Sequence, residues 1–243
     1  MTPRHLGAHH EFCWMDLKTH DPSGTAAFFS AVLGWEFAVD ENDWREAVTI
    51  FADGHRTGGV SDLAGPLYPA GLPAHIAYYI AVEDVDVATD RAMKEGAHLV
   101  LAPFDAGDQG RIATLVDPVG AAFSLWQTHE SYRWTPAAGV PESMTLACDR
   151  PEQARDFYAA MLGTVPDRAH FVPAHGPDVP APRWELTVVA DDVDAVAGLA
   201  LVHGQEARRE HDHDGRPCLR LSSPEGLTFR VVQRTPLHVT GRA

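Results

Sequence analysis

The sequence predicts an α+β protein built from four β-α-β-β-β modules, because it repeats its own pattern. Residues 21–34 match residues 150–163 at a constant offset of 129. Two further matches, at offsets of 108 and 106, pair residues 83–96 and 117–127 with later segments in the same order. A repeat of this kind determines the architecture before any short motif is considered. We therefore expect two halves of two modules each.

The first matched segment predicts a helix of about three turns in each half. Pro22 and Pro151 stand one residue into this helix, where a missing N–H costs nothing, and Gly34 and Gly163 follow its last turn. One apolar stripe, which must cover a sheet, recurs in both copies: Phe28, Phe29, Val32 and Leu33, then Phe157, Tyr158, Met161 and Leu162.

Strands are predicted by alternation and by β-branched or aromatic residues. In the second matched segment of each half, an Asp caps another helix and a Gly closes it. The third module is predicted to be degenerate, because residues 163–183 are about 21 residues shorter than their counterpart and hold five prolines. The strands expected are 12–17, 36–40, 46–52, a short piece near Val60, 76–82, 98–102, 111–116, 122–127, 143–148, 184–190, 218–222 and 228–233.

The length of 243 residues fits two domains of ordinary size. We expect an N-terminal domain over residues 1–127, a linker over 128–140 that is rich in Ala, Gly and Pro, and a shortened C-terminal domain over 141–243. The hydrophobic share of 45% is close to the globular average, so a packed core is expected.

The net charge of -15 argues against nucleic acid and anionic membrane surfaces as partners. The first 20 residues lack an apolar signal segment and no stretch is long enough to span a bilayer, so we expect a cytoplasmic protein. Cys13, Cys148 and Cys218 are odd in number and widely spaced, which is typical of small core residues rather than of disulfides or a thiolate zinc site.

The chain resembles the vicinal oxygen chelate superfamily, which includes glyoxalase I, bleomycin-resistance proteins and extradiol dioxygenases. Leu33-Gly34 closes the first helix, Asp84-Val85-Asp86 opens the second, and Asp117-Pro118-Val119-Gly120 precedes the last strand of the half. The resemblance covers residues 11–233 and implies that the four modules pair into two glyoxalase-like domains, each with a sheet that curves into a cup. A fold of this kind hosts many chemistries.

The resemblance also implies four metal-ligand positions in each cup, usually His or Glu. They fall near Trp14, Gly59, Ala77 and Ser124 in the first half, and near Ser143, Glu185 and Arg230 in the second, whose fourth position lies in the Pro-rich segment. These residues do not make a divalent-metal site, and a cation at Arg230 opposes one. We therefore expect no metal and no other cofactor.

The candidate ligand-binding residues lie in the N-terminal cup, since that half keeps all its strands. An aromatic concavity with a few polar groups is typical of small-molecule sites. The alternatives are ordinary core filling for the aromatic residues, an exposed strand start for His75, and a strand-end carboxylate bonded to backbone for Asp16. By strand parity, Phe12 is expected on the cup face and Cys13 under the helices. The candidates are Trp14, Asp16, His75, Tyr79, Ser124 and Trp126.

The function predicted first is metal-independent binding or sequestering of a small apolar or aromatic molecule, similar to bleomycin-resistance members. The alternative is a lyase, isomerase or hydroxylase-like enzyme on the same fold. A third possibility is a module that binds another protein through its C-terminal cup.

A monomer or weak homodimer is expected, because paired modules already supply the contacts for which shorter relatives dimerise. Residues 9–11 and 211–214, which are rich in His and acidic residues, are expected to be solvated and away from the cups.

Overall fold

The computed structural model of the protein describes residues 5–39, 47–128, 134–174 and 181–234. These residues form two separate β-sheets and four α-helices, and the sheets are built from consecutive halves of the chain. The predicted α+β class with four modules, the third of them shortened, is confirmed. No helix in the described ranges is long and apolar enough to cross a membrane.

The first module runs from β1 to β4. It contains β1 (Phe12–Thr19), α1 (Pro22–Leu33), β2 (Glu36–Val39), β3 (Val48–Ala52) and β4 (His55–Asp62). After the helix, the chain forms the antiparallel run β2-β3-β4 and returns with β4 parallel to β1. The first strand of the module therefore lies beside its last.

The second module repeats this arrangement in full. It contains β5 (His75–Ala81), α2 (Val85–Lys94), β6 (His98–Asp105), β7 (Arg111–Val116) and β8 (Ala122–Gln127). β8 is parallel to β5, and β5 pairs antiparallel with β1. The two modules thus share one eight-stranded sheet in the order β2-β3-β4-β1-β5-β8-β7-β6.

The third module is short, as its prolines predict. It contains β9 (Pro141–Cys148), α3 (Pro151–Leu162) and β10 (Ala169–Pro173), and β10 pairs parallel with β9. β10 is the one strand in the described part of the segment between Gly163 and Arg183, where the first module has three. The sequence did not predict β10; as an edge strand beside β9 alone, it accommodates Pro173 at its end.

The fourth module completes a six-stranded sheet in the order β10-β9-β11-β14-β13-β12. It contains β11 (Arg183–Ala190), α4 (Val193–Val202), β12 (Arg208–His211), β13 (Pro217–Ser222) and β14 (Thr228–Gln233). β12 was not predicted either. β14 is parallel to β11, and β11 is antiparallel to β9, so the second sheet repeats the central pairing of the first.

The helix boundaries follow the predicted signals. The Asp21 carboxylate accepts the backbone N–H of Gly24 at 2.9 Å, and Gly34 ends α1 with a φ of 71°. Gly163 ends α3 with a φ of 75°, again in the left-handed region that glycine adopts most readily. The carboxylates of Asp84 and Asp192 cap α2 and α4 in the same way.

The helices of the two halves pack against each other and share one hydrophobic core. α1 contacts α4, and α2 contacts α3. Phe12 lies 4.7 Å from Trp184 between ring centroids, and Phe123 lies 5.4 Å from Tyr158. The buried Tyr158 hydroxyl donates to Asp117 at 3.1 Å and accepts the Trp184 indole N–H at 2.9 Å. One face of each sheet therefore belongs to the shared core.

The opposite face of each sheet is called a cup here. The N-terminal cup is defined by Trp14, Asp16, Tyr79, Ser124 and Trp126, and the C-terminal cup by Ser143, Thr145, Glu185, Arg220 and Arg230. The cup faces lie outside the shared core, so their side chains are free to differ without disturbing its packing.

The predicted faces of Phe12 and Cys13 are wrong. Phe12 packs in the shared core, whereas Cys13 clusters with Ala81 and Trp126 on the other side of the sheet. The cause is a register shift between Phe12 and Trp14 against β5, which interrupts the strict alternation of the strand. Cys13, Cys148 and Cys218 are all buried free thiols, as expected.

Candidate functional site

Three aromatic side chains line the N-terminal cup. The Trp14 and Trp126 rings lie 5.6 Å apart at 72°, and the Tyr79 and Trp126 rings 6.1 Å apart at 68°. The Trp126 indole N–H donates to the Gln109 carbonyl at 2.7 Å, which fixes the ring. Gly59 borders this wall, since a Cβ there would be in ordinary van der Waals contact, 3.5 Å from Cζ2 of Trp14. The predicted aromatic residues are thus brought together.

Asp16 lies two residues beyond Trp14 on the same face of β1. Its Oδ2 accepts the Lys18 ammonium at 2.7 Å and the Ser61 hydroxyl at 2.8 Å. Its Oδ1 is buried and has no hydrogen-bond partner among the residues that the structure describes. Since buried polar atoms are nearly always bonded, this oxygen is an unsatisfied acceptor on a residue of the cup face.

Lys18 gives the same region a fixed positive charge. Its ammonium also donates to the Tyr68 hydroxyl at 3.1 Å. Burial disfavours the charged form, but the Asp16 carboxylate outweighs it and holds the pKa of Lys18 above its usual value. Burial, followed by the charge of Asp16, raises the pKa of Tyr79, so that phenol stays protonated.

The two remaining candidates occupy opposite parts of the cup. The Ser124 hydroxyl is buried 2.9 Å from the Thr114 hydroxyl, and its strand position is opposite Tyr79. His75 lies at the rim opposite Lys18, with Nδ1 2.8 Å from the Pro73 carbonyl oxygen. All six candidates therefore lie on one face of the sheet, and their role in binding stays a prediction.

The C-terminal cup holds a cavity of about 530 Å³. At its base, both oxygens of Glu185 accept hydrogen bonds from Arg220, and Oε2 also accepts from Nε of Arg230 at 3.2 Å. Nε of Arg183 lies 3.4 Å from Oε1. Burial raises the pKa of Glu185, but these guanidinium groups outweigh it and leave the pKa below its ordinary value. Glu185 is therefore a fully paired carboxylate.

One expectation about this cup needs correction. Residues 211–213, expected in a turn away from the cups, line its cavity, because the β12–β13 hairpin places them at its mouth. His170 on β10 is opposite Thr145, as Gly59 is opposite Asp16 in the first half. The His170 and His213 rings are stacked with their centroids 3.4 Å apart. Burial is the main cause, and the neighbouring imidazole of His213 the second, that lowers the pKa of His170 to about 4.

Sequence reasoning identified Glu185 and Arg230 in this cup and missed Arg183 and Arg220. The available signal was the alternation of Arg183, Glu185 and Thr187, which places these side chains on one face of a strand. Arg220 lies opposite Arg230 on β13, a pairing that requires the strand register.

Among the residues that the structure describes, the positions implied by the resemblance do not supply a complete divalent-metal ligand set in either cup. In the N-terminal cup the ligand positions hold an indole, a glycine, an alanine and a hydroxyl, while the nearby carboxylate of Asp16 is already paired with Lys18. In the C-terminal cup Glu185 is surrounded by guanidinium groups, which repel a second cation. Asp212, His213 and Asp214 bring ligand atoms within 4.8 Å of one another on the turn at the edge of the C-terminal cavity, and the His170 ring stacks on that of His213.

The two-sheet fold is similar to that of glyoxalases and extradiol dioxygenases. More particularly, residues 14–126 match the family described as Glyoxalase-like domain. This match covers the eight-stranded sheet and therefore the N-terminal cup.

Two curated relatives align over most of the chain. The protein named "Putative glyoxylase CFP32" of Mycobacterium tuberculosis (strain CDC 1551 / Oshkosh) is 29% identical, over 92% of this chain and 94% of its own length. The "Anthracycline biosynthesis protein DnrV" of Streptomyces peucetius is 28% identical, over 90% of this chain and 92% of its own length.

Solved structures agree with the fold. The Mn(II)-bound glyoxalase from Novosphingobium aromaticivorans superposes with a TM-score of 0.62 at 15% identity, covering 94% of this chain and 82% of that one. A catechol 2,3-dioxygenase gives a TM-score of 0.60 at 12% identity, covering 97% of this chain and 96% of that one. At these identities the likeness concerns the fold alone.

Proposed function

We propose that the protein binds a small aromatic molecule in the N-terminal cup without a metal. The observation that carries this proposal is the buried Oδ1 of Asp16, an open acceptor beside the wall of Trp14, Tyr79 and Trp126. A buried carboxylate oxygen without a partner is unfavourable, and a ligand that donates an N–H or O–H to it removes that penalty. The ligand is therefore a flat ring that bears a hydrogen-bond donor.

The comparisons support this assignment of the cup. The family match spans residues 14–126, which contain the whole proposed site. One relative is named for anthracycline biosynthesis, so an anthracycline is a suitable probe for this chain. Aromatic walls bind such rings through apolar burial and offset or edge contacts.

The test is calorimetric titration with 1-naphthol, with 1-methoxynaphthalene, which lacks the donor, and with an anthracycline. We expect 1-naphthol to bind more tightly than its methyl ether. Trp14→Ala and Trp126→Ala should each weaken binding of 1-naphthol by about 1 to 3 kcal/mol, the scale of a lost aromatic surface.

The matched control is Thr145→Ala, because Thr145 occupies in the C-terminal cup the position of Asp16 in the first. It should leave the affinity for 1-naphthol unchanged. The proposal fails if both Trp variants fold and bind as well as the wild type, or if Thr145→Ala alone abolishes binding.

An enzyme on the same cup is the second candidate. The observation that favours it is the Asp16 carboxylate 2.7 Å from the Lys18 ammonium, an arrangement that places a base beside a fixed positive charge able to stabilise a developing anion. The relative named as a putative glyoxylase is consistent with it. Mass spectrometry of the anthracycline after incubation separates the two: recovery of unchanged compound supports binding, and a product that disappears in Asp16→Asn supports an enzyme.

A further inference from the structure

The C-terminal cup carries more positive charge than its own carboxylates neutralise. Four arginines line the cavity against the carboxylates of Glu185, Glu210 and Asp212: Arg183, Arg208, Arg220 and Arg230. Each guanidinium has five N–H donors and each carboxylate about four acceptor sites, so donors remain in excess. In a concave site, such donors are suited to an anionic group.

Arginine side chains at the base of the cavity are held in place. Arg220 and Arg230 are 22% and 14% exposed and bond to Glu185, and Nη1 of Arg230 also lies 3.2 Å from Glu210. Arg183 is 46% exposed, and within the described ranges its one ion pair is the longer contact of 3.4 Å to Glu185. Of these three arginines it is therefore the most accessible to a ligand.

One wall of the same cavity is apolar. It consists of Ala147, Val172, Pro173, Ala174 and Ala181. Arg183 is opposite Ala147 in the sheet register, and Ala147 is opposite Val172, so the accessible guanidinium adjoins this wall. The cavity volume of about 530 Å³ lies within the range of small-molecule sites.

We propose that the C-terminal cup binds a small organic acid, with its carboxylate on Arg183 and Arg220 and its apolar body against Ala147 and Val172. Arg230 lies near one of the metal-ligand positions that the resemblance implies. Because a planar guanidinium matches a carboxylate with two parallel N–H bonds, the acid is recognised without an ion. This site is separate from the one proposed in the N-terminal cup.

The test is calorimetric titration of the full chain with hexanoate, hexanamide and inorganic phosphate at neutral pH. Hexanoate should bind about tenfold or more tightly than hexanamide, since only the acid carries the charge. Hexanoate should also bind more tightly than phosphate, which has no apolar body. Equal affinity for the acid and the amide overturns the proposal, and so does phosphate binding as tightly as hexanoate.

Two neighbouring variants locate the site. Arg183→Gln should weaken hexanoate binding about tenfold. Arg209→Gln is the matched control, because Arg209 points from β12 toward Asp194 at 2.7 Å and does not line the cavity. Trp14→Ala should leave hexanoate binding unchanged, which separates this site from the N-terminal cup. Wild-type affinity in a folded Arg183→Gln variant, or an equal loss in Arg209→Gln, overturns the assignment.

Discussion

The two cups differ in how their central carboxylates are bonded. In the N-terminal cup, one buried oxygen of Asp16 has no hydrogen-bond partner in the described part of the chain. In the C-terminal cup, both oxygens of Glu185 are bonded to guanidinium groups. The surrounding frames are alike, since each cup has parallel outer pairs beside a central antiparallel pair. The first cup is thus aromatic with an open acceptor, and the second is charged with an excess of donors.

This contrast shows how one repeated fold carries two kinds of recognition. The shared core is made from the helices and the inner faces of both sheets, so it constrains residues such as Phe28 and Phe157. Cup residues alternate with core residues along each strand and face away from them. Ser124 and Arg230 therefore occupy corresponding strands of the two halves and differ completely in chemistry.

The largest expected effect is on the C-terminal cup. Glu185→Gln leaves Arg220 without its anionic partner and leaves Arg230 with Glu210 alone. We expect the free energy of unfolding to decrease by about 3 kcal/mol, which is the lower end for a broken buried ion pair, because both arginines are partly exposed. Urea denaturation at pH 7 measures this. A decrease below about 0.5 kcal/mol would show that solvent already screens the cluster.

The same variant has a defined pH dependence. The folded pKa of Glu185 lies below its ordinary value, so the ionised side chain stabilises the fold above the unfolded pKa of about 4.3. That stability is lost as the pH falls through the folded pKa. The difference between wild type and Glu185→Gln should therefore shrink on acidification below about pH 4. A difference that grows with acid would contradict the pairing.

Asp16→Asn should have a smaller effect on stability in the N-terminal cup. The amide keeps an acceptor for Ser61 but removes the charge beside Lys18, so we expect a loss of about 1 kcal/mol in urea denaturation. Ser61→Ala is the control, because it removes one neutral bond to the same carboxylate. A loss as large as that of Glu185→Gln would mean that Asp16 is a structural ion pair rather than an open binding group.

The sequence predicted the frame better than the cups, for physical reasons. Local sequence patterns predicted where two helices end, at Gly34 and Gly163, and they predicted the full length of β7 and β8. Each of these patterns occurs twice in the chain because of the repeat. The sequence analysis missed β10 because the prolines of this segment argue against a central strand. β10 lies at the edge of its sheet, where proline is tolerated. The face of Phe12 was missed because a register shift breaks alternation without a local sequence signal.

The arginine cluster was missed for a different reason. Arg183, Arg220 and Arg230 come from three strands, and only the pairing of β11, β13 and β14 brings them to one carboxylate. The alternation of side chains along one strand predicts the face on which each residue lies. It does not predict which residue lies beside it on the next strand. The domain boundaries at residues 127 and 141, and the roles of the six N-terminal cup residues, stay predictions for the experiments above.

The smallest expected effect tests metal independence in both cups at once. A ligand that binds only the folded state raises the free energy of unfolding, and the increase grows with the ratio of free ligand concentration to dissociation constant. A functional metal site would therefore produce a clear rise in the free energy of unfolding and in the melting temperature when metal is added. With Zn²⁺ or Mn²⁺ added to dialysed protein, we expect the free energy of unfolding to change by less than about 0.5 kcal/mol, because Asp16 is paired with Lys18, and Glu185 with Arg220 and Arg230. Asp214→Asn controls for adventitious binding at the exposed turn of residues 212–214. Stabilisation above about 1 kcal/mol that persists in Asp214→Asn would place a metal in a cup and remove the distinction drawn here between guanidinium and metal recognition.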